Sequence, residues 1–280
     1  MCEVSISSNF ALPKNSNLLS HPDMNLSPHS RPSIGRHFIE LESVDSTNNY
    51  AMAQIHAGLA SHGMVYSALE QSAGKGQRGK SWSSSKGENI TLSIVLKPAF
   101  LQLSQQFSLS AALAVACHDF LHPYIKDDLY IKWPNDLYWR DRKTGGILTE
   151  SMSRGKEWIW AIAGIGININ QTSFPASLPN PVSLKQITGK EYSIIELTKS
   201  LCDCVEKRWL ELEKQGSTGL LKTYNHFLYK KDQLVKLKKQ PLVFETRIKG
   251  VNPEGQLLTT DTLQRCFDFG EVEWISEPDY

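Results

Sequence analysis

Glycines and basic residues alternate in one loop of the sequence in a way that suits the binding of an anion. Residues 71–87 contain four glycines and four cationic side chains, and they contain no acidic residue. Glycine lets a backbone approach a ligand closely and present its N–H groups, while lysine and arginine supply positive charge. The loop is therefore predicted to fold over a phosphate or a carboxylate.

Two nucleotide-binding patterns match this loop by their letters alone. Gly74 to Ser81 fits the P-loop spacing G-x-x-x-x-G-K-[ST]. Gly74, Gly76 and Gly79 fit the Rossmann spacing G-x-G-x-x-G. Both motifs must open a helix that holds phosphate at its N-terminus, yet Trp82 is followed by serines and then by a predicted strand. Neither fold is expected, and a solvated basic loop without function is the remaining alternative.

Three further segments place polar residues at the ends of predicted strands. The first begins at Lys132 and reads Lys-Trp-Pro-Asn-Asp, and the second begins at Lys143 and reads Lys-Thr-Gly-Gly. The third begins at Gly164 and reads Gly-Ile-Gly-Ile-Asn-Ile-Asn. Taken alone, a lysine such as Lys143 is typical of a solvated hairpin turn, and an Asn-Asp pair is typical of an ordinary turn.

The hydrophobic pattern predicts an α/β region followed by an all-β region. Apolar residues at helical spacing predict helices over about 48–57, 107–121, 193–214 and 217–227. Apolar runs bounded by turn residues predict strands over 64–69, 89–96, 129–133, 136–139, 146–152 and 158–168. After residue 229 only β-like runs remain, at 233–237, 242–251, 256–260 and 265–274. Four or five short strands in so few residues predict a small barrel.

The length of 280 residues suits one large domain and one small one. Residues 1–36 are rich in serine, proline and asparagine, and they are predicted to form a disordered leader. The predicted boundaries are therefore a leader over 1–36, a catalytic domain over 37–228 and a barrel over 229–280. A leader of this length has no room for a DNA-reading domain of about 60 residues.

Composition excludes several classes of protein. The formal charge of +1 gives no reason to expect a polyanion such as DNA as a partner. No apolar run approaches the roughly 20 residues that a membrane helix needs. The five cysteines are scattered, which is typical of reduced thiols in a cytoplasmic protein. His118 and His122 have the spacing of a zinc-protease pair, but the catalytic glutamate is replaced by aspartate and no metal site is expected.

The chain resembles the biotin protein ligases, also called biotin–[acetyl-CoA-carboxylase] ligases. The resemblance rests on five segments in the order and spacing of that family, which together span about residues 38–275. They are Ser46 to Asn48, Gln71 with the loop from Gly74 to Trp82, Lys132 to Asp136, Lys143 to Leu148, and Gly164 to Asn168.

The resemblance implies an α/β (α+β) catalytic domain similar to class II aminoacyl-tRNA synthetases, followed by an SH3-like β-barrel. It also implies a monofunctional enzyme that uses ATP and Mg²⁺ to convert biotin to biotinyl-5′-AMP. A lysine of the biotin carboxyl carrier protein would then attack the adenylate. Lipoate–protein ligases of the same superfamily and biotin-sensing regulators with weak catalysis remain as alternatives. A weak homodimer is left open.

Residue roles follow from the resemblance and from the chemistry of each side chain. Lys143 is expected to be catalytic, because a fixed cation eases the approach of a carboxylate to a phosphate. The resemblance implies a biotin-binding set of Ser46, Thr47, Asn48, Gln71, Gly74, Lys75, Gly76, Gln77 and Gly146. It implies a nucleotide-binding set of Arg78, Trp82, Asn135, Asp136 and Asn168, with Asn168 facing the adenine.

Two positions depart from the family pattern. Many relatives carry arginine where this chain has Lys75 and Gln77. The planar guanidinium of arginine binds an oxyanion at two points, whereas lysine is a point charge and glutamine is neutral. More of the charge stabilisation is therefore expected to come from Lys75, Arg78 and Lys143. Ser46 and Thr47 have the alternative role of helix caps.

Overall fold

The structure is a computed structural model and describes residues 34–275. The predicted leader over residues 1–36 therefore lies outside the described residues except for its last three positions. Those three are part of the fold, since Ile34 is only 2% exposed.

The structure contains five α-helices and twelve β-strands in its described part. The helices are α1 (Thr47–His56), α2 (Gln106–Ile125), α3 (Leu184–Thr188), α4 (Ile194–Gln215) and α5 (Ser217–His226). The first seven strands are β1 (Phe38–Val44), β2 (Val65–Gln71), β3 (Ile90–Leu96), β4 (Leu129–Lys132), β5 (Asp136–Trp139), β6 (Arg142–Arg154) and β7 (Glu157–Ile167). The last five are β8 (Leu234–Lys239), β9 (Leu242–Val251), β10 (Leu257–Thr260), β11 (Gln264–Phe267) and β12 (Glu273–Ile275).

Seven strands form one mixed sheet in the order β1-β2-β3-β7-β6-β5-β4. β1 and β2 are parallel and are joined through α1, whereas the other neighbours are antiparallel. Helices cover both faces, so every residue of the central strand β3 is buried. On one face Leu92 and Ile94 belong to the main core with α2 and α4, and on the other Val95 meets Ala51 of α1. This architecture confirms the predicted α/β fold class.

The central helix α2 is built for close packing. Its run of small apolar residues from Ala111 to Cys117 is almost completely buried against the sheet and α4. Alanine lets a helix axis approach a sheet closely, because little side chain stands between them. The helix ends at Ile125, four residues later than predicted from the sequence. No helix in the described part of the chain has the length and apolar character needed to cross a membrane.

The second sheet has five antiparallel strands in the order β11-β10-β9-β8-β12. It confirms the all-β character of the predicted C-terminal region, while closure into an SH3-like barrel stays a prediction. The predicted strand over 265–274 is two strands, because Gly270 turns the chain between them with a φ of 87°. This second region of the chain contacts the part that holds the first sheet through Trp133, whose Nε1 donates to the Gly255 carbonyl at 2.8 Å.

Strand β1 was not predicted from the sequence. It lies at the edge of the mixed sheet and pairs only with β2. Its sequence mixes Phe38, Ile39 and Leu41 with two glutamates, and none of its residues is fully buried. A half-exposed edge strand of this kind has a weak hydrophobic pattern. The strand is therefore recognisable only from its pairing with β2 in the structure.

Ile34 anchors the start of the described chain. Its side chain joins the main core, and its backbone N–H donates to Glu206 Oε2 at 3.0 Å. The next residue, Gly35, donates its N–H to the Gly63 carbonyl at 2.8 Å. The folded region therefore begins before residue 35, earlier than the predicted end of the leader.

We expect Ile34→Ala to lower the free energy of unfolding by about 2–4 kcal/mol, because it leaves a cavity in the core. Ile195→Ala is the matched control, since Ile195 is 40% exposed and should change stability by less than about 0.5 kcal/mol. Urea denaturation of both variants measures the difference. Equal midpoints for the two variants would show that Ile34 contributes nothing to the core.

Candidate active site

The loop and the three polar segments meet along β6 and β7. Asn48 packs against Gly164, and Trp82 packs against Gly166. Asn168 directs its side-chain N–H groups towards the carbonyls of Lys143 and Val182. Segments that are up to about a hundred residues apart in sequence thus form one site.

Thr47 and Gln71 form a polar pair at the start of α1. Gln71 Oε1 accepts from the Thr47 backbone N–H at 2.8 Å and lies 3.1 Å from Thr47 Oγ1. The amide oxygen of Gln71 is therefore occupied, and its Nε2 points towards Gly74. Since Gln71 is only partly buried, its two amide protons are free to serve a ligand.

Ser46 occupies the N-cap position of α1 but does not act as a side-chain cap. Its backbone has the extended conformation of an N-cap residue, with a φ of −155°, and its hydroxyl makes no capping hydrogen bond. Ser46 is only 1% exposed in the folded protein. The capping alternative therefore lacks its defining contact, and the hydroxyl is available to a ligand.

Asn48 is held from two sides. Its Nδ2 donates to Glu150 Oε2 at 2.6 Å, and its Oδ1 lies 2.5 Å from Ser93 Oγ. A Cβ at Gly164 would overlap the Asn48 amide, so a glycine is required beneath it. One N–H group and the amide oxygen of Asn48 have protein partners, and direct binding of a ligand by Asn48 stays a prediction. The side chains of Thr47, Asn48 and Gln71 together form the polar floor of the site.

The glycine-rich loop is folded back on itself. Lys75 and Ser81 form an antiparallel bridge, and the Trp82 N–H donates to the Gly74 carbonyl at 2.8 Å. A Cβ at Gly74 would overlap the Trp82 carbonyl, which explains the glycine at this position. The loop tip, Gln77–Gly79, is a short 3₁₀ turn.

Arg78 directs its guanidinium towards the second sheet region. It adopts the left-handed conformation with a φ of 55° and donates from Nη1 to the Gly270 carbonyl at 2.9 Å. Its guanidinium also lies 5.8 Å from the ring centroid of Phe269. The loop was expected to bring Arg78 to a nucleotide; in this structure Arg78 connects the loop to the second sheet.

Trp82 covers the strand β7. A Cβ at Gly166 would overlap the indole ring, so the ring lies directly on the glycine backbone. Trp82 Nε1 is buried, and no hydrogen-bond partner for it occurs among residues 34–275. An indole fixed in this way presents a flat apolar surface over Gly166, which pairs with Gly146 of β6. Such a surface is suited to a planar ring system.

Lys143 and Asp136 form an ion pair at the centre of the site. Lys143 Nζ lies 2.7 Å from Asp136 Oδ1, with side chains 31% and 25% exposed. Gly146 faces this pair, because a Cβ there would lie 3.0 Å from Asp136 Oδ1 and 3.4 Å from Lys143 Nζ. Gly146 was expected to contact biotin, and in the structure its contribution is the space it leaves for the two charges.

The backbone of Lys143 is fixed on both sides. The sequence predicts a turn over residues 140–144, but β6 already begins at Arg142. Lys143 pairs with Tyr138 of β5, and its N–H donates to the Asn180 carbonyl at 3.0 Å. A hairpin-tip lysine would move freely in water, whereas this one extends from a paired strand.

Two predicted nucleotide-binding asparagines use their donors within the protein. Asn135 Nδ2 donates to the Ile147 carbonyl, and the Ile147 N–H donates back to the Asn135 carbonyl. Asn168 is 4% exposed, and its Nδ2 donates to the Val182 carbonyl at 3.2 Å. Both side chains hold the backbone around Lys143 in place. The expectation that Asn168 faces the adenine has no support in these contacts.

Lys132 is a partly buried cation whose role sequence reasoning missed. Its ammonium lies 4.5, 5.5 and 5.3 Å from the ring centroids of Tyr138, Tyr229 and Trp274. Burial lowers the pKa of Lys132 to about 8, against the opposing influence of the Asp136 carboxylate. Trp274 belongs to the second sheet, so this lysine joins the two parts of the molecule. The position of Lys132 at the head of the Lys-Trp-Pro-Asn-Asp segment was the available signal.

His118 is part of the core, whereas His122 is exposed. His118 is stacked on Phe227 with ring centroids 3.8 Å apart, and burial lowers the pKa of His118 to about 4. Across residues 34–275, no three His, Cys, Asp or Glu side chains are arranged to hold a metal ion.

The similarity to known proteins includes the same region of the chain. The model of the biotin/lipoate A/B protein ligase family matches residues 40–168. That range contains every residue predicted from the sequence to form the site. The bifunctional ligase/repressor BirA of Bacillus spizizenii is 31% identical over 229 residues, which cover 80% of this chain and 70% of that protein. A biotin–[acetyl-CoA-carboxylase] ligase of Paracoccus denitrificans is 32% identical over 63% of this chain and 74% of its own length.

Solved structures show the same fold. The biotin protein ligase from Aquifex aeolicus in complex with biotin and ATP superposes with a TM-score of 0.74 at 23% identity. The match covers 86% of this chain and 100% of that chain. The biotin protein ligase from Leishmania major in complex with biotin gives a TM-score of 0.60 at 22% identity, over 89% of this chain. The architecture described above is therefore that of these ligases.

Proposed function

This chain belongs to the biotin/lipoate A/B protein ligase family, and we propose that it is an ATP-dependent biotin–protein ligase. One observation carries the proposal. A lysine paired with an aspartate, Lys143 with Asp136, lies at Gly146 of β6. Gly146 pairs with Gly166 of β7, on which Trp82 of the glycine-rich basic loop packs. The names of the relatives support it, since they include ligases for biotin at 30% identity or more.

The polar floor favours biotin over lipoate as the acid. The ureido ring of biotin carries a carbonyl and two N–H groups, whereas the dithiolane ring of lipoate has no hydrogen-bonding group of comparable strength. Gln71 offers unused amide protons to the carbonyl, and Ser46 offers a hydroxyl. With lipoate the buried Ser46 hydroxyl and the partly buried Gln71 amide would remain unpaired, and a buried polar group left unpaired costs about 1–3 kcal/mol.

The first step joins the biotin carboxylate to the α-phosphate of ATP. A carboxylate oxygen forms a bond to the α-phosphorus, and the bond from that phosphorus to the bridging oxygen breaks, so that pyrophosphate leaves. Two anions must approach each other, and the ammonium of Lys143 lowers the energy of the charge that develops between them. The loop from Gly74 to Trp82 covers the product and excludes water.

Mg²⁺ fits this site as an ion bound largely by the nucleotide. Magnesium usually takes one or two carboxylates, several waters and phosphate oxygens. Asp136 is the carboxylate that would hold it, since its side chain is 25% exposed and lies beside Lys143. When bound, the ion would neutralise charge on the leaving pyrophosphate. The protein residues orient the reactants and shield them from water.

The second step transfers biotin to a protein. The amine of a lysine on the biotin carboxyl carrier protein attacks the acyl carbon of the adenylate, an amide forms and AMP leaves. The cytoplasmic location stays a prediction from the cysteine pattern.

Exchange of labelled pyrophosphate into ATP tests the proposal, because it reports adenylate formation without the carrier protein. We expect exchange with biotin and at least tenfold less with lipoate. Exchange driven by lipoate alone would assign the chain to the lipoate ligases. Absence of exchange with either acid would exclude the proposed activity.

The glycine-rich loop should gain order when the adenylate forms. Lys75, Arg78 and Lys80 are exposed and carry like charges, so these side chains repel one another in the free loop. An anionic ligand offers partners to these cations and to the backbone N–H groups. We expect amide hydrogen exchange over residues 74–88 to slow by at least tenfold with biotin plus ATP. Unchanged exchange would show that the loop does not close on the ligand.

Gln77→Arg should slow the escape of the adenylate from the site. The substitution restores a planar fork that can bind an oxyanion at two points. We expect the Gln77→Arg variant to transfer biotin to free lysine in solution at a lower rate than the unchanged protein does. Gln264→Arg is the control, since it adds the same charge at an exposed position on β11. An equal or faster rate for Gln77→Arg would show that glutamine serves equally well there.

A further inference from the structure

A chain of polar contacts crosses the floor of the site, and two of its members have no role so far. The contacts run through Gln71, Thr47, Ser93, Asn48 and Glu150. They join four elements, β2, α1, β3 and β6. Ser93 and Glu150 are the two members that sequence reasoning did not select.

Proton counting gives this chain a direction. The Ser93 hydroxyl has one proton and lies 2.8 Å from Thr47 Oγ1 and 2.5 Å from Asn48 Oδ1. If its proton goes to Asn48 Oδ1, Ser93 accepts from the Thr47 hydroxyl, and Gln71 Oε1 is then held by the Thr47 backbone N–H at 2.8 Å. The arrangement requires the amide oxygen of Asn48 to face Ser93.

Glu150 sets that orientation of Asn48. A carboxylate can only accept, and Glu150 Oε2 accepts from Asn48 Nδ2 at 2.6 Å. A flipped amide would turn its oxygen towards the carboxylate and its donors towards the hydroxyl of Ser93. The other oxygen, Glu150 Oε1, lies 3.5 Å from Lys75 Nζ, so the same carboxylate also reaches the glycine-rich loop.

We propose that Glu150 is a positioning residue for the biotin site. Its carboxylate fixes the amide of Asn48, and through Ser93 it orients the Thr47 hydroxyl beside Gln71. The amide oxygen of Gln71 accepts from the Thr47 backbone N–H, so the Nε2 protons of Gln71 are left for the ligand. The inference rests on the proposed function, because it assigns biotin as the ligand that those protons meet.

Two substitutions at one position separate the acceptor from the charge. Glu150→Leu removes the acceptor at similar size, and we expect it to weaken biotin affinity by about tenfold or more. Glu150→Gln keeps an amide oxygen for Asn48 Nδ2, and we expect affinity within about threefold of the unchanged protein. Ser151→Ala is the control on the neighbouring, exposed position of β6.

Calorimetric titration with biotin measures the affinities, and the KM values for biotin and ATP in the exchange assay give a second readout. The KM for biotin should rise in Glu150→Leu while the KM for ATP stays within about twofold, since a positioning defect at the biotin floor leaves the nucleotide contacts intact. A general loss of structure would raise both. Affinity in Glu150→Leu equal to the unchanged protein, or equal weakening in Glu150→Gln, would overturn the proposal.

A partner exchange keeps the test valid if Glu150→Leu fails to fold. Asn48→Asp places two carboxylates face to face and should weaken biotin binding by about tenfold. Adding Glu150→Gln to that variant restores a donor opposite an acceptor and should recover most of the loss. No recovery would refute the contact. If the unchanged protein binds no biotin, the proposed function itself fails. If the unchanged protein binds biotin, the affinities of the variants decide the role of Glu150.

Discussion

Lys143→Ala should reduce biotin-dependent adenylate formation by about 10²–10³-fold, the loss typical for one group that stabilises charge in a transition state. The alanine removes the fixed cation beside Asp136 and leaves its carboxylate facing the incoming anions. Pyrophosphate exchange measures the effect directly. The loss should appear mainly in kcat, because the charge is greatest at the transition state.

The fold should tolerate this change. The Lys143–Asp136 pair is partly exposed, and such pairs contribute about 0–1 kcal/mol to stability. The control is Lys185→Ala, which breaks an ion pair with Glu191 of similar length outside the site. Both variants should melt within a few degrees of the unchanged protein, and only Lys143→Ala should lose exchange. Equal exchange rates for the two variants would remove Lys143 from the mechanism.

Local patterns in the sequence were sufficient to predict most of the catalytic architecture. The helical spacing predicted α4 to within one residue at each end, because its apolar face is regular and Ser193 caps its start. The glycine-rich loop and the Lys143 segment were selected by composition and resemblance. These features depend on neighbours in the chain, so they are readable without the fold.

Features that depend on contacts between distant strands were not predictable in this way. Glu150 lies in an alternating strand, and nothing in its neighbourhood indicates that it meets Asn48, 102 residues away. The aromatic enclosure of Lys132 requires Trp274 from the second sheet. The contact between Arg78 and Gly270 spans 192 residues. Each depends on how the two sheets and the loop are arranged in space.

The protein partners of conspicuous polar residues were also not predictable. Asn48, Asn135 and Asn168 each donate to a protein acceptor, and their contacts with ligands stay predictions. A buried amide must satisfy its own hydrogen bonds first, and a nearby backbone carbonyl is the most common partner. Sequence reveals that an asparagine is present at a strand end, but the partner that it chooses depends on the packed structure.

Gly166→Ala should reduce adenylate formation by about 5- to 150-fold, because the added methyl group overlaps the indole of Trp82. Overpacking of this kind costs about 1–3 kcal/mol, and the indole must leave its position to relieve it. Gly219→Ala is the matched control, since a Cβ there meets only Glu211 Oε1 at 3.6 Å and α5 should tolerate it. In a Trp82→Ala background the Gly166→Ala substitution should have little further effect, because the two residues act through one contact. If the reductions caused by the two substitutions instead multiply, the indole and the glycine act independently and Trp82 does not depend on β7 for its position.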